Sequence, residues 1–164
     1  MLRLKDLTLV ESRGGLSRIP AGKILINTIN AHSYNTAQDD ALFAEALTNG
    51  DYLIPDGASI VKACRWLKTK SRPEERIAGW DLFEFEMNGG APSGSPKGGE
   101  NRKVGTVMFM GSSEKVLALI RKRMGEVYPQ WDVVTYSPPY KPEFSDEDND
   151  AIIKAINDAD PDLL

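Results

Sequence analysis

The amino-acid sequence predicts an α/β protein built on a mostly parallel sheet with helices on both faces. Three observations carry that prediction. Short runs rich in Ile, Leu and Val alternate with stretches of helical spacing, strand–helix–strand–helix twice over, an order that right-handed crossovers turn into parallel pairing. Two of those runs end in polar signatures, Thr28-Ile29-Asn30 and Pro55-Asp56-Gly57. At 164 residues, 41% hydrophobic and 27% charged, the chain has the size and composition of one soluble domain with a proper core.

Taken in order, residues 1–20 are mixed, and Arg13-Gly14-Gly15 reads as a turn. Residues 23–29 form the first strand. Residues 35–49 read as one helix, with Ala37, Ala41, Leu42, Ala44, Ala46 and Leu47 near helical spacing and Asn49-Gly50 as its stop. A short strand at 51–54 precedes a helix over 58–70, whose apolar side carries Ile60, Val61, Ala63, Cys64 and Leu67. Ser71-Arg72-Pro73 breaks it, and Trp80-Asp81-Leu82-Phe83 starts another. Trp66, Trp80, Phe83 and Phe85 are assigned to the core.

Residues 88–99 (NGGAPSGSPKGG) are too rich in Gly, Ser and Pro to pack a core, so a flexible loop is expected near 88–103. It is placed inside a single domain spanning 1–164, because the strand at 104–110 needs sheet partners from before it. A helix over 114–128, a strand over 131–136 and a helix over 149–159 follow. The last begins at the acidic Ser145-Asp146-Glu147-Asp148, suited to a helix amino terminus. Asp160 to Leu164 reads as the lead-in to a further strand, so the chain is expected to be incomplete at its carboxyl end.

Composition narrows the function. A net charge of −4 argues against a general nucleic-acid binder, which needs clustered cations. The single cysteine, Cys64, allows no intrachain disulfide and no cysteine metal cluster; on an apolar helix face it is expected to be an inert buried thiol. Charges at Arg3, Lys5 and Asp6 interrupt what a signal peptide would keep apolar, and no stretch approaches about 20 apolar residues. A cytoplasmic protein is expected, with peripheral attachment to the inner membrane face left open.

In an open α/β sheet, ligands bind outside the carboxyl ends of the strands. Two strands deliver a hydroxyl, an amide and a carboxylate there. Thr28 and Asn30 alternate with Ile29 and are suited to orienting sugar or ribose hydroxyls, or else to turn and cap chemistry. Asp56, followed by the permissive Gly57, either caps the helix that starts near Ala58 or acts as a general base. Arg76 suits a phosphate or uracil, or is a solvated arginine beside Glu74 and Glu75. Asp81 reads as a helix cap. His32, the only histidine, has no companion ligands and is assigned to the surface. Gly111-Ser112-Ser113, before a helix, offers backbone N–H groups to an anion without the full pattern of a P-loop.

Several stretches together resemble the WecG/TagA/CpsF family of bacterial glycosyltransferases. They are Ile26-Asn27-Thr28-Ile29-Asn30-Ala31, Asp51-Tyr52-Leu53-Ile54-Pro55-Asp56-Gly57 and Glu75-Arg76-Ile77-Ala78-Gly79-Trp80-Asp81-Leu82-Phe83. Val107-Met108-Phe109-Met110-Gly111, Tyr128-Pro129 and the segment from Ala155 to Leu164 add to them. The resemblance implies a Rossmann-like fold and inverting transfer of an N-acetylmannosamine-type or related sugar from a UDP-sugar to a lipid-linked, undecaprenyl-diphosphate-type acceptor, with no bound metal or other cofactor. The products feed teichoic acid, common antigen, capsule or exopolysaccharide. It assigns Asp56 as the base, and the residues' own chemistry gives Thr28, Asn30, Gly57, Arg76, Gly111 and Ser112 as the expected substrate-binding set. Family members continue past a strand like Asp162-Leu163-Leu164 into a basic appendage, through which membrane contact is expected, and they tend to self-associate. The readings to be weighed against this are a non-catalytic nucleotide- or sugar-binding module and a generic flavodoxin-like domain.

Overall fold

The computed structural model describes residues 2–20, 22–89 and 104–164, so most of the loop expected near 88–103 lies outside the described residues. The chain divides into two compact units, residues 1–96 and 97–164. Both are α/β, and all named strand pairs are parallel.

In the first unit, β1 (Ile26–Ile29) pairs with β2 (Tyr52–Pro55), with Ile26 opposite Tyr52 and Ile29 opposite Pro55. Side chains alternate across a strand, so neighbouring residues feed opposite faces. Ile29 and Leu53 join Leu4, Leu9, Ala37, Leu47, Ile60 and Cys64 in one buried cluster. Ile54 joins Leu16 and Ile77 in another, with Ile26, Leu82 and Phe85 packed against it. Apolar material therefore covers both faces of the pair. That arrangement explains why apolar residues fall on both faces of these short strands rather than on one. The expected burial of the lone cysteine is borne out: Cys64 is fully buried and unpaired with another cysteine.

The helices differ from the sequence reading in three places. Arg13-Gly14-Gly15 is not a simple turn but most of a one-turn helix, α1 (Arg13–Leu16), which inserts Leu16 into the second cluster. The helix expected over 35–49 is two helices, α2 (Ala31–Asp39) and α3 (Ala41–Thr48). Asp40 separates them: its backbone is extended, and its side chain accepts the Phe43 N–H at 2.9 Å, which favours a new helix start over continuation. Likewise α2 starts four residues early because Asn30 and Ser33 form a capping box.

Two tryptophans overturn the expectation of core packing. Along α4 (Ala58–Leu67) the buried side chains are Ile60, Val61 and Cys64. Trp66 sits two positions beyond Cys64, about 200° around the helix, and is 80% exposed. In α5 (Gly79–Met87), Trp80 is related in the same way to Leu82 and is 61% exposed, leaning on Phe83 one turn on at 5.2 Å between ring centroids. Aromatic content alone does not select the inner face.

In the second unit, β3 (Gly105–Met110) and β4 (Trp131–Tyr136) pair from Gly105 opposite Trp131 to Met110 opposite Tyr136. The connecting α6 (Glu114–Val127) buries Leu117 and Met124. After α7 (Asp146–Ala159), Leu163 bridges in parallel to Val107, and its carbonyl accepts the Met108 N–H at 2.8 Å. The segment read as a strand lead-in thus meets the free side of β3.

Helix α7 opens on a capping box between Ser145 and Asp148, and Lys141 reaches the same carboxylate. The Lys141 hydrogen bond, then the Ser145 N–H, hold the Asp148 carboxyl below the ordinary aspartate range. A lowered folded-state pKa contributes stability above the unfolded value and loses it as pH falls through the lowered one. Amide protection in the first turn of α7, measured relative to the intrinsic exchange rate at each pH, is therefore expected to fall only in acid, below the ordinary aspartate range, while β4 amides keep theirs.

Candidate functional site

The site residues of the first unit come together because two parallel strands end side by side. Past the last pair of the register, the Asp56 N–H still donates to the Ile29 carbonyl at 2.9 Å, so the ladder runs one residue beyond β2. From that edge β1 turns at Asn30 into α2, and β2 turns at Asp56-Gly57 into α4. The two turns touch. A methyl group built on Gly57 would lie 3.4 Å from the Asn30 Cβ, ordinary van der Waals contact, so the turns pass as closely as side-chain packing allows.

A third segment joins them. The Ile77 N–H donates to the Pro55 carbonyl at 3.0 Å, which brings residues 76–78 to the same strand end. That segment is braced from behind. The Asp81 carboxylate accepts the Ala78 N–H at 2.7 Å, as a first-turn helix cap should, and also meets the Arg13 guanidinium at 3.0 Å. Glu75 accepts the Arg13 backbone N–H at 3.1 Å. The loop is tied at Glu75, Ile77, Ala78 and Asp81, while Arg76 is exposed and has no ion-pair partner among the described residues. Glu75 is turned to Arg13 rather than to Arg76, and the exposure of Arg76 fits a solvated arginine as well as an anion ligand.

Asp56 is half-buried, and its carboxylate accepts no hydrogen bond and forms no ion pair among the described residues. It does not cap α4: the capping position belongs to Gly57, with no side-chain bond to the helix. Thr28 is exposed beside fully buried Ile54, on the face that Ile26 also lines. Asn30 spends its side-chain oxygen on the Ser33 N–H at 3.0 Å, leaving the amide N–H groups unengaged among the described residues. Asn30→Ala is expected to cost about 1 kcal/mol through the lost cap, and Asn30→Asp, which keeps an acceptor, should restore most of it. Urea midpoints measure both.

His32 is exposed in the first turn of α2, as expected. No cluster of three or more His, Cys, Asp or Glu that could hold a metal ion occurs among the described residues. A hollow of about 850 Å³ is lined by residues 6–12 and the amino end of β2, including Asp51 and Tyr52, and does not include Asp56.

Gly111 and Ser112 belong to the second unit, at the carboxyl end of β3. Both have positive φ, 104° and 63°. The Gly111 N–H is committed to the Tyr136 carbonyl at 2.9 Å, and Ser137 Oγ donates to the Ser112 carbonyl at 2.7 Å. The Ser113 side chain accepts the Val116 N–H as the cap of α6. Of the three residues, Ser112 and Ser113 keep their backbone N–H groups uncommitted among the described residues.

Sequence reasoning missed the part played by Arg13, Glu75 and Asp81 in bracing the Arg76 loop. No local pattern announces an ion pair across 62 or more residues.

Comparison with known proteins gives a family match over residues 3–164, to the "Glycosyl transferase WecG/TagA/CpsF family". One curated relative is the N-acetylglucosaminyldiphosphoundecaprenol N-acetyl-beta-D-mannosaminyltransferase of Bacillus subtilis (strain 168), 26% identical over 140 residues. That alignment covers 85% of this chain and 48% of the relative, so the chain spans about half the length of the protein it matches.

Proposed function

Since the chain belongs to the WecG/TagA/CpsF family of glycosyl transferases, we propose that it forms the sugar-transferring part of a bacterial enzyme of cell-surface polysaccharide synthesis. The donor in this reading is a UDP-sugar of the N-acetylmannosamine type, and the acceptor a sugar on a lipid diphosphate. The acceptor hydroxyl attacks the anomeric carbon from the face opposite the nucleotide, with inversion. Asp56 takes the hydroxyl proton as the new C–O bond forms, and the bond to the diphosphate breaks to release UDP. Thr28 and the free amide of Asn30 orient sugar or ribose hydroxyls beside the Gly57 backbone. Arg76 balances charge on the diphosphate. Within the second unit, the turn opened by Gly111 offers the Ser112 and Ser113 N–H groups to an anion, the Gly111 N–H being held by the Tyr136 carbonyl.

The observation that carries this reading is the unengaged Asp56 carboxylate at the carboxyl edge of a parallel strand pair, the position where α/β sheets bind ligands. Among the described residues its side chain makes no hydrogen bond, ion pair or cap that would explain an aspartate there. The relative's name adds the acceptor chemistry, a sugar on a diphosphate lipid.

Calorimetric titration with UDP tests the donor assignment. Saturable binding is expected, weakened about tenfold or more by Arg76→Ala, the scale of one lost charge-assisted hydrogen bond. Binding indifferent to Arg76 would remove that residue from the site. Absence of UDP binding would favour a generic flavodoxin-like domain.

A further inference from the structure

We infer that the exposed face of α4, with the turn that follows it, docks onto an anionic lipid bilayer. Between Gly57 and Pro73 the chain carries Lys62, Arg65, Lys68, Lys70 and Arg72 and no Asp or Glu, in a protein whose net charge is −4. Ile60, Val61 and Cys64 turn inward, while Lys62, Arg65, Trp66 and Leu67 are exposed, Trp66 by 80% and Leu67 by 60%. Lys68 ends the helix in the left-handed conformation, φ 49° and ψ 51°. The chain then folds back so that Arg65, Lys68, Arg72, Pro73 and Glu74 line a hollow of about 640 Å³. Lys62, Arg65, Lys68 and Arg72 form no ion pairs among the described residues.

Clustered unpaired cations around an open hollow attract phosphate head groups, and each lysine or arginine near an anionic leaflet adds to the attraction. Tryptophan beside them favours the head-group boundary, where an amphipathic helix lies in the plane of the membrane. A nucleic acid would satisfy the cations but leave Leu67 in water, and the acidic remainder of the chain would repel a long polyanion. The inference rests on the proposed reading in one respect: a lipid-linked acceptor requires the enzyme at the bilayer. Helix α4 begins directly after Asp56-Gly57 and runs ten residues, so the proposed base lies about 15 Å from the basic end. The docking surface sits on this helix itself, apart from the carboxyl-terminal contact that the family resemblance implies.

Co-sedimentation of the full chain with vesicles of phosphatidylcholine, alone or mixed with phosphatidylglycerol, tests it. Binding only to the mixed vesicles, released by high salt, is expected. Trp66→Ala should weaken it, and the pair Arg65→Glu with Lys68→Glu should weaken it by about tenfold or more. All three side chains are exposed, so circular dichroism melts should be unchanged. Wild-type failure to bind, or undiminished binding by both variants, overturns the proposal. So does oligonucleotide binding lost in the charge-reversed variant without vesicle binding, which assigns the patch to nucleic acid. Self-association lost in Trp66→Ala without vesicle binding assigns it to a second copy. UDP titration is read separately: intact UDP binding with no vesicle binding removes only the docking surface, and the converse removes only the donor assignment.

Discussion

Asp56→Asn is expected to lower sugar transfer by about 10²–10⁴-fold, the range of a lost general base, while stability moves by no more than about 0.5 kcal/mol. The two halves of that expectation have separate physical grounds. Asparagine is nearly isosteric but cannot take the hydroxyl proton, so the attacking oxygen must carry its proton into the bond-forming step. Stability is untouched because the Asp56 carboxylate caps no helix and pairs with no cation among the described residues. The backbone N–H that anchors the residue to Ile29 is present in either variant. Transfer from a UDP-sugar to a lipid-diphosphate sugar, measured beside a thermal melt, reads both. A lowered melting temperature with activity retained would mean that the carboxylate is structural.

Ile29→Ala is expected to do the reverse and destabilise the first unit by about 2–5 kcal/mol. Ile29 is fully buried between Thr28 and Asn30 and packs with the cluster that holds Leu53, Ile60 and Cys64. Truncation removes apolar contacts and leaves a void that rigid neighbours cannot fill. It also loosens the residue whose carbonyl receives the Asp56 N–H, so activity should fall together with the melting temperature. Ile29→Val, which keeps most of the volume, should cost only about 0.5–1.5 kcal/mol. Paired with Asp56→Asn, this variant separates what the site does from what holds it in place.

Much of the fold was legible because its signals are local. Ile-rich runs, the Asn49-Gly50 stop and the Ser145 start each act over a few residues, and β4 and the body of α4, α6 and α7 fall where periodicity puts them. The misread elements share a cause. Asn30 and Asp40 each use one side-chain oxygen to start a helix, so apolar spacing carried across Asp40 merged two helices into one and dated the first too late. Trp66 and Trp80 were placed inside by residue type, whereas rotation about their helices puts them outside.

The same division applies to the site. The signatures Thr28-Ile29-Asn30 and Pro55-Asp56-Gly57 were recognisable in the chain, and so was their position at strand ends. Their meeting was not. It depends on a parallel register that sets Ile29 against Pro55, and on Ile77 bonding to the Pro55 carbonyl. That Asp56 is spared the duty of capping α4 follows from the cap position falling on Gly57, one residue further on.

By itself, then, the sequence determined which short segments would be strands or helices and which polar residues stood at their ends, since backbone propensity and apolar period are properties of neighbouring residues. Only tertiary structure decided which of those residues lie together, which carboxylates are already engaged by Arg13 or a helix end, and which aromatic rings face water. Those outcomes arise from hydrogen bonds and packing between residues far apart in the chain, to which no local pattern is sensitive.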